Sequence, residues 1–387
     1  MRRAASFNDM QVSSGFDSGA IEVVKCDASR ADLAIRRDVS SDGSAGEFLQ
    51  WFHFRVSGVE RSGAELRIVN AGSTTYPDGW RDYHAVASWD RLRWERIPTR
   101  YDGQILTIDL PPAPGPSYIA YFEPYSWERH LMLLADSVVR GAQLRRLGAS
   151  IQGRDIDELV VGQGRRPVWI IARQHPGETM AEWFVDGLLQ RLLRTDQELS
   201  EELRQLATFH IIPNMNPDGS VLGNLRTNAA GANLNREWLA PSVERSPEVK
   251  CVRDAMHATG CDAFFDIHGD ENLPYVFVAG CEMLPGFGGR HAAEQDAFSA
   301  DFRSASPDFQ SEHGYHASKY RDDVLKLASK YAGHTFQCLS LTLEMPFKDN
   351  ANAPDAQFGW SGGRSAQLGA AILDPIYRHL KRTGAGA

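Results

Sequence analysis

His175 and Glu178 stand three residues apart, directly after the apolar run "VWIIA" and just before a run with helical spacing. His268 follows a second apolar run, "DAFFDI", and Glu344 closes a third, "CLSLTLE". Imidazole and carboxylate are zinc donors, and three protein ligands with an open fourth position define a site built for chemistry. His175, Glu178 and His268 form such a His2Glu set, expected to hold one Zn2+ per chain. The ion would lower the pKa of a water to about 7 and polarise a carbonyl. A carboxylate that does not ligate must then take the proton from that water, and Glu344 is the candidate. His-x-x-Glu alone arises by chance. The weight lies in three candidate positions, each at the end of an apolar run.

A second polar cluster lies between the two histidines, in "NPDGSVLGNLRTNAAGANLNREW". Asn216-Pro217-Asp218-Gly219 is expected to form a tight turn, leading into a loop with Arg226, Asn235 and Arg236. Two arginines beside a cationic metal repel one another unless an anion belongs among them. Arginine forks a carboxylate through two N–H groups. A second arginine suits the oxyanion that forms when a carbonyl is attacked.

These residues need elements that bring them together. "RPVWIIA", "ATFHIIP", "DAFFDI" and "CLSLTL" are continuous apolar runs, as in strands covered on both faces. Met180, Trp183, Phe184, Leu188, Leu192 and Leu193 recur at helical spacing. Ser246-Pro247 opens a helix carrying Val249, Val252 and Met256 and closed by Gly260. "DDVLKLASKYAG" is also helical, and a last helix runs from about Arg364 to Arg382 with a kink at Pro375. Strands alternating with helices predict an α/β domain, a mixed and largely parallel sheet flanked by helices. Ligand crevices in such sheets lie outside the carboxyl ends of the strands, where His175, His268 and Glu344 would converge.

The first third alternates with period two instead. "FLQWFHFRVSG" puts Phe52, Phe54 and Val56 on one face and His53, Arg55 and Ser57 on the other. "ELRIVN", "QILTIDL" and "SYIAYF" repeat the pattern between turn-rich segments, so a small antiparallel β-sandwich is expected. Ser126 then caps a helix whose apolar stripe is Leu131, Leu134 and Val138, ended by Gly141. The domain boundary therefore falls at residue 125, giving domains 1–125 and 126–387.

Composition narrows the function classes. With 42% hydrophobic and 24% charged residues, the chain is a folded rather than a disordered one. A net charge of −9 without any basic block argues against nucleic acid or an anionic membrane as partner. The amino terminus has a basic tip with no apolar stretch behind it, so no secretory signal is expected. Five scattered cysteines without a CxxC pair fit a reducing, cytoplasmic setting.

Taken in order, "HPGET", "NPDG", "GNLRTNAAGANLNREW", "FFDIHG" and "TLEMPF" resemble the zinc carboxypeptidases, in particular the cytosolic carboxypeptidase-like branch. "LQWFHFRVSG", "LRIVN" and "YIAYFEPYSWERHL" resemble the β-sandwich that precedes the catalytic domain there. The resemblance implies a metalloprotease that hydrolyses the last peptide bond of a peptide or protein C-terminal tail. It implies that His175, Glu178 and His268 bind zinc and that Glu344 is general base, then general acid. It further implies that Arg226 supports the oxyanion, while Asn235 and Arg236 hold the terminal carboxylate. Asn233 stands where related members commonly carry an aspartate behind the first zinc histidine. Tyr315, Tyr320 and Tyr331 are the candidates for the substrate-side tyrosine. Animal members of the branch trim glutamates from acidic tails, which here would call on Lys319, Arg321, Lys326 or Lys330. The competing readings are a zinc amidohydrolase acting on acylated amino acids and a silent module that binds peptide tails.

Overall fold

The computed structural model describes residues 10–59, 61–282, 284, 287–316 and 324–384. Its first ten strands are β1 (Gln11–Ser13), β2 (Glu22–Cys26), β3 (Arg30–Ala34), β4 (His53–Ser57), β5 (Ala64–Ile68), β6 (Val86–Ser88), β7 (Glu95–Arg96), β8 (Thr99–Tyr101), β9 (Leu106–Leu110) and β10 (Ser117–Ala120). They build two five-stranded sheets, ordered β1-β4-β10-β6-β7 and β2-β3-β5-β9-β8. All pairs are antiparallel except β3 with β5, which run parallel. Phe52, Phe54, Val56, Leu66, Ile68, Leu106 and Ile108 are all buried, which accounts for the period-two pattern.

The remaining chain holds α1 (Trp127–Val139), β11 (Gln143–Ala149), β12 (Asp155–Val161), β13 (Arg166–Ala172), α2 (Met180–Leu192), α3 (Glu198–Leu206), β14 (Ala207–Ile212), α4 (Pro217–Leu222), α5 (Pro247–Thr259), β15 (Ala263–Asp270), β16 (Phe277–Ala279), α6 (Gly289–Ala305), α7 (Ala328–Phe336), β17 (Leu339–Pro346), α8 (Gly362–Ala371) and α9 (Leu373–Gly384). The strands form one mixed sheet, β11-β12-β14-β13-β15-β17-β16. Its four central strands, β14, β13, β15 and β17, are parallel. The chain leaves β13 for β14 on one side and then crosses to β15 on the other, so strand order reverses at β13. Every residue of β15 and β17 is buried.

The two faces of β13 explain its unbroken apolar run. Val168, Ile170 and Ala172 pack in one core with Phe184, Leu188 and Leu368, while Trp169 and Ile171 pack in a second with Val249, Val252 and Ala328. On the first face α2 and α8 meet backbone to backbone. A Cβ at Gly187 would fall 1.9 Å from the Ala366 carbonyl oxygen, and one at Gly369 the same distance from that of Phe184. Among the described residues no helix is long and apolar enough to cross a membrane.

Three local expectations need correction. The α1 helix begins as expected, with the Ser126 hydroxyl accepting from Arg129 N at 3.2 Å. Its buried stripe, however, is His130, Leu133, Leu134 and Ser137, leaving Leu131 and Val138 largely exposed. A polar residue takes the inner position because Glu182 is there to receive His130 Nδ1 at 2.6 Å. Asn216 starts a helix rather than a tight turn: its side chain accepts from Gly219 N, with Pro217 at the first helical position. The last helical stretch is two helices. Pro375 lacks an N–H and crowds the carbonyl one turn earlier, and α8 ends there, at Ala371.

Candidate active site

The β13 strand ends at Ala172, and the next residue, Arg173, adopts a left-handed conformation with φ +58°. That bend turns the chain so that His175 faces the crevice. The buried Arg173 side chain locks the bend, donating to the Pro176 carbonyl at 3.0 Å, the Tyr125 carbonyl at 2.8 Å and Glu182 at 2.6 Å. Gly177 N donates to the Leu225 carbonyl at 2.9 Å, and a Cβ there would lie 3.0 Å from the same oxygen. Only glycine sits comfortably against that loop. Glu178 follows, folded back beside His175.

The site closes through the sheet register. His268 and Glu344 are direct partners on the parallel strands β15 and β17, so their backbones lie about 4.8 Å apart. Glu178 spans both imidazoles, with Oε1 2.7 Å from His175 Nδ1 and Oε2 2.7 Å from His268 Nδ1. The two Nδ1 atoms are 3.2 Å apart. One ligand atom from each of the three residues lies within 4.8 Å of the others.

The outer nitrogens decide whether this group fits a cation. His175 Nε2 is 3.0 Å from Asn233 Oδ1, and His268 Nε2 is 2.9 Å from Asp266 Oδ1. Both oxygens accept, so Nε2 of each ring carries a proton and Nδ1 faces inward, where a bound metal ion would displace any proton and take the lone pair. Two inward lone pairs and a carboxylate make a donor set for a divalent ion. Burial, reinforced by Arg226, pushes the His175 pKa down to about 3. Burial also disfavours charge on His268, but Asp266 and Glu178 outweigh it and hold its pKa well above the usual imidazole range. Burial disfavours ionised Glu178 as well, and the two histidines reverse that and hold it low.

A cavity of about 650 Å³ opens over these residues, and His175, Glu178, His268, Glu344, Arg226, Asn235 and Arg236 all line it. These seven residues expected from the sequence are therefore in one place. Arg226 has its NH1 3.8 Å from Glu178 Oε1 and 3.8 Å from Glu271 Oε1. The charge argument for a bound anion is thus partly answered by the protein's own Glu178 carboxylate. Asn235 accepts from Ala328 N at 2.9 Å and turns its amide nitrogen to within 3.3 Å of His268 Nε2. Arg236 NH1 donates to the Asn235 carbonyl at 2.7 Å.

Of the candidate tyrosines, Tyr315 lines the cavity and donates to Asp270. Tyr331 points elsewhere, bonded to His257 at 2.8 Å. Tyr320 lies outside the described residues, as do Lys319 and Arg321. Lys330 lines the cavity with Ala279, Leu327 and Thr342. Lys326 does not line it, and its carbonyl accepts from Trp238 N.

Several residues of the site escaped the sequence reading. Asp266 had a readable signal, since a carboxylate inside an apolar strand, two residues before His268 and on the same face, needs a partner. Glu271 had none. It is buried, and burial raises its pKa well above the carboxylate range against the pull of Arg226. Phe48 and Tyr76, from loops of the amino-terminal domain, place their rings 5.8 and 5.7 Å from the Arg226 guanidinium.

Comparison with known proteins agrees with this geometry. Residues 12–122 match the cytosolic carboxypeptidase N-terminal domain, and residues 128–358 match the zinc carboxypeptidase family. A metallo-carboxypeptidase from Burkholderia cenocepacia is 55% identical, with a TM-score of 0.93 over 96% of this chain and 100% of that one. A metallo-carboxypeptidase from Pseudomonas aeruginosa, solved in complex with (2-guanidinoethylmercapto)succinic acid, is 44% identical, with a TM-score of 0.90 over 96% and 100% of the two chains. Mouse cytosolic carboxypeptidase 4 is 26% identical over 71% of this chain, which spans only 29% of that relative's length. The chain belongs to the zinc carboxypeptidase family and is a metallocarboxypeptidase.

Proposed function

We propose that this protein is a zinc-dependent exopeptidase that hydrolyses the C-terminal peptide bond of peptides or protein tails. His175, Glu178 and His268 would hold one zinc ion, which when bound supplies Lewis acidity to the water and the scissile carbonyl. Glu344, presented beside His268 by the neighbouring strand, takes a proton from the water and delivers it to the departing amine. Arg226 stands ready for the negative charge that develops on the carbonyl oxygen. Asn235 and Arg236 receive the terminal carboxylate and so admit only the last bond. A succinic acid derivative, the ligand of the Pseudomonas relative, presents carboxylates of the kind Arg236 would fork.

Further parts of this reading have their own support. Lys330 in the cavity wall favours an acidic terminal side chain. Division of the chain into domains 1–125 and 126–387 is supported by the two amino-terminal sheets ending with β10 and the third beginning with β11. A cytoplasmic setting suits five free thiols and the cytosolic relatives.

One observation carries the hydrolytic reading: the His175, Glu178 and His268 ligand atoms cluster within 4.8 Å while the β15–β17 register sets Glu344 beside them. Metal analysis combined with mass-spectrometric digestion of a peptide library tests it. The expected result is one zinc per chain and loss of single residues from carboxyl ends. Glu344→Gln should keep the zinc and lose turnover by several orders of magnitude. Normal peptide hydrolysis by that variant would refute the assigned base. Cleavage confined to acylated amino acids would replace the peptidase with an amidohydrolase, and bound zinc without turnover on any substrate would leave a binding module.

A further inference from the structure

Asp38 lies in the loop between β3 and β4, far in sequence from every residue of the site, and it is 3% exposed. Its carboxylate does not face solvent. Oδ1 accepts from Leu225 N at 2.6 Å, and Oδ2 accepts from Arg226 N at 2.9 Å, Thr227 N at 2.9 Å and the Thr227 hydroxyl at 3.0 Å. Three consecutive amides and one hydroxyl, centred on Arg226, close on a single side chain.

The clamp extends on both sides. Val39 N donates to Asn224 Oδ1 at 2.9 Å, and Asn224 Nδ2 returns to the Val39 carbonyl at 3.0 Å. Ser41 N donates to the Ala229 carbonyl at 2.8 Å. The loop bearing Asp38 is itself tied down, with Asp38 N on the Phe48 carbonyl at 2.8 Å and Gly46 N on the Asp38 carbonyl at 2.7 Å. The same loop brings the Phe48 ring to the Arg226 guanidinium. On its far side the clamped segment accepts from Gly177 N, the residue before Glu178.

An arginine that meets charge present only in the transition state is effective when it is already in place. Its side chain is long, so fixing it requires fixing the backbone from which it springs. We propose that Asp38 is a positioning residue of the reaction, holding the Leu225–Thr227 backbone so that Arg226 is aimed at the developing oxyanion. The amino-terminal domain is then part of the catalytic apparatus, and this inference rests on the role proposed above for Arg226.

The test is a kinetic cycle of Asp38→Asn, Arg226→Ala and the double variant, with zinc content and thermal midpoint measured on each. The amide would turn a donor toward Leu225 N or Arg226 N and loosen the segment. Misplacement by about 1 Å costs on the order of a hundredfold, so kcat of Asp38→Asn should fall by about that factor. KM, which depends on Asn235 and Arg236, should change little. The loss should vanish once Arg226 is absent, so the double variant matches Arg226→Ala. A role confined to folding would lower the thermal midpoint and leave kcat per bound zinc intact, and independent roles would multiply the two losses. Either result overturns the proposal. Full kcat in Arg226→Ala would instead remove the role of Arg226, a failure recognisable without Asp38. Should Asp38→Asn not fold, Thr227→Val removes only the hydroxyl contact. A severalfold kcat loss that disappears in the Arg226→Ala background would support the proposal, and an unchanged kcat would overturn it.

Discussion

Replacing Asn233 by aspartate should tighten metal binding about tenfold. The two candidate ligand histidines are supported unequally. His268 Nε2 meets a carboxylate, Asp266, at 2.9 Å, whereas His175 Nε2 meets a neutral amide oxygen, Asn233, at 3.0 Å. A hydrogen bond to a charged group contributes roughly 1.5–3 kcal/mol where a neutral one contributes about 0.5–1.5 kcal/mol. The midpoints of those ranges differ by about 1.2 kcal/mol, a factor approaching ten in affinity. It reaches the ion because a more polarised N–H makes Nδ1 a better donor. Two structural facts keep the opposing costs small. Asn233 is only half-buried, so its replacement keeps part of its hydration. Its Oδ1 also accepts from Asn235 N at 3.1 Å, a second donor that a carboxylate would use at least as well. Competition for zinc against a chromogenic chelator at fixed pH measures the change, with secondary structure and thermal midpoint as controls. Unchanged or weaker affinity in a properly folded variant would refute the claim that Asn233 acts on the metal through His175.

Arg236→Ala should lower kcat/KM by about a hundredfold, the scale for removing one partner of a buried charge pair. A peptide ending in an amide should show no further loss with that variant in steady-state kinetics. Lys330→Met should erase any preference for an acidic terminal residue, seen as a roughly tenfold fall for that substrate alone in a panel differing only at the last position. Away from the metal, burial disfavours charge on His130, yet Glu182 and Asp157 outweigh it and raise its pKa from 6.5 to about 9. A folded-state pKa raised above the unfolded one stabilises fully below pH 6.5 and loses that contribution as pH rises through about 9. The gap amounts to roughly 3 kcal/mol. Denaturant midpoints should therefore fall between those pH values, and His130→Gln should flatten the profile.

The parts of this molecule that the sequence makes legible share a physical cause. β13, β15 and β17 are buried on both faces, so they appear as unbroken apolar runs. The polar residue that ends each run lies near the carboxyl end of its strand, three residues past the end of β13 and two before the ends of β15 and β17. That is why His175, His268 and Glu344 could be placed together before any coordinates. Glu178 was legible because a strand-to-helix return is a local event. Polar groups inside the core were harder. In α1 the apolar stripe misled, because His130 is paid for by Glu182, a partner on another helix. Asn216-Pro217 obeys the rules of a turn and of a helix start equally, and contacts beyond the segment decide between them.

Asp38 shows the limit most clearly. It is one of several acidic residues in a polar stretch of an amino-terminal loop, and nothing in its neighbourhood distinguishes it. Its meaning comes from three amides 187 to 189 residues later, which converge only when two separately readable domains meet. Periodicity reports which face of an element is covered, and spacing reports which side chains one element can present together. Neither reports which loop of one domain will satisfy the backbone of another. A buried carboxylate costs free energy unless donors surround it, so a folded chain keeps one only where such donors exist. Here they are the peptide groups that carry Arg226. The proposed metal ligands at strand ends are thus a property of one sheet, whereas the aim proposed for Arg226 is a property of the interface between sheets.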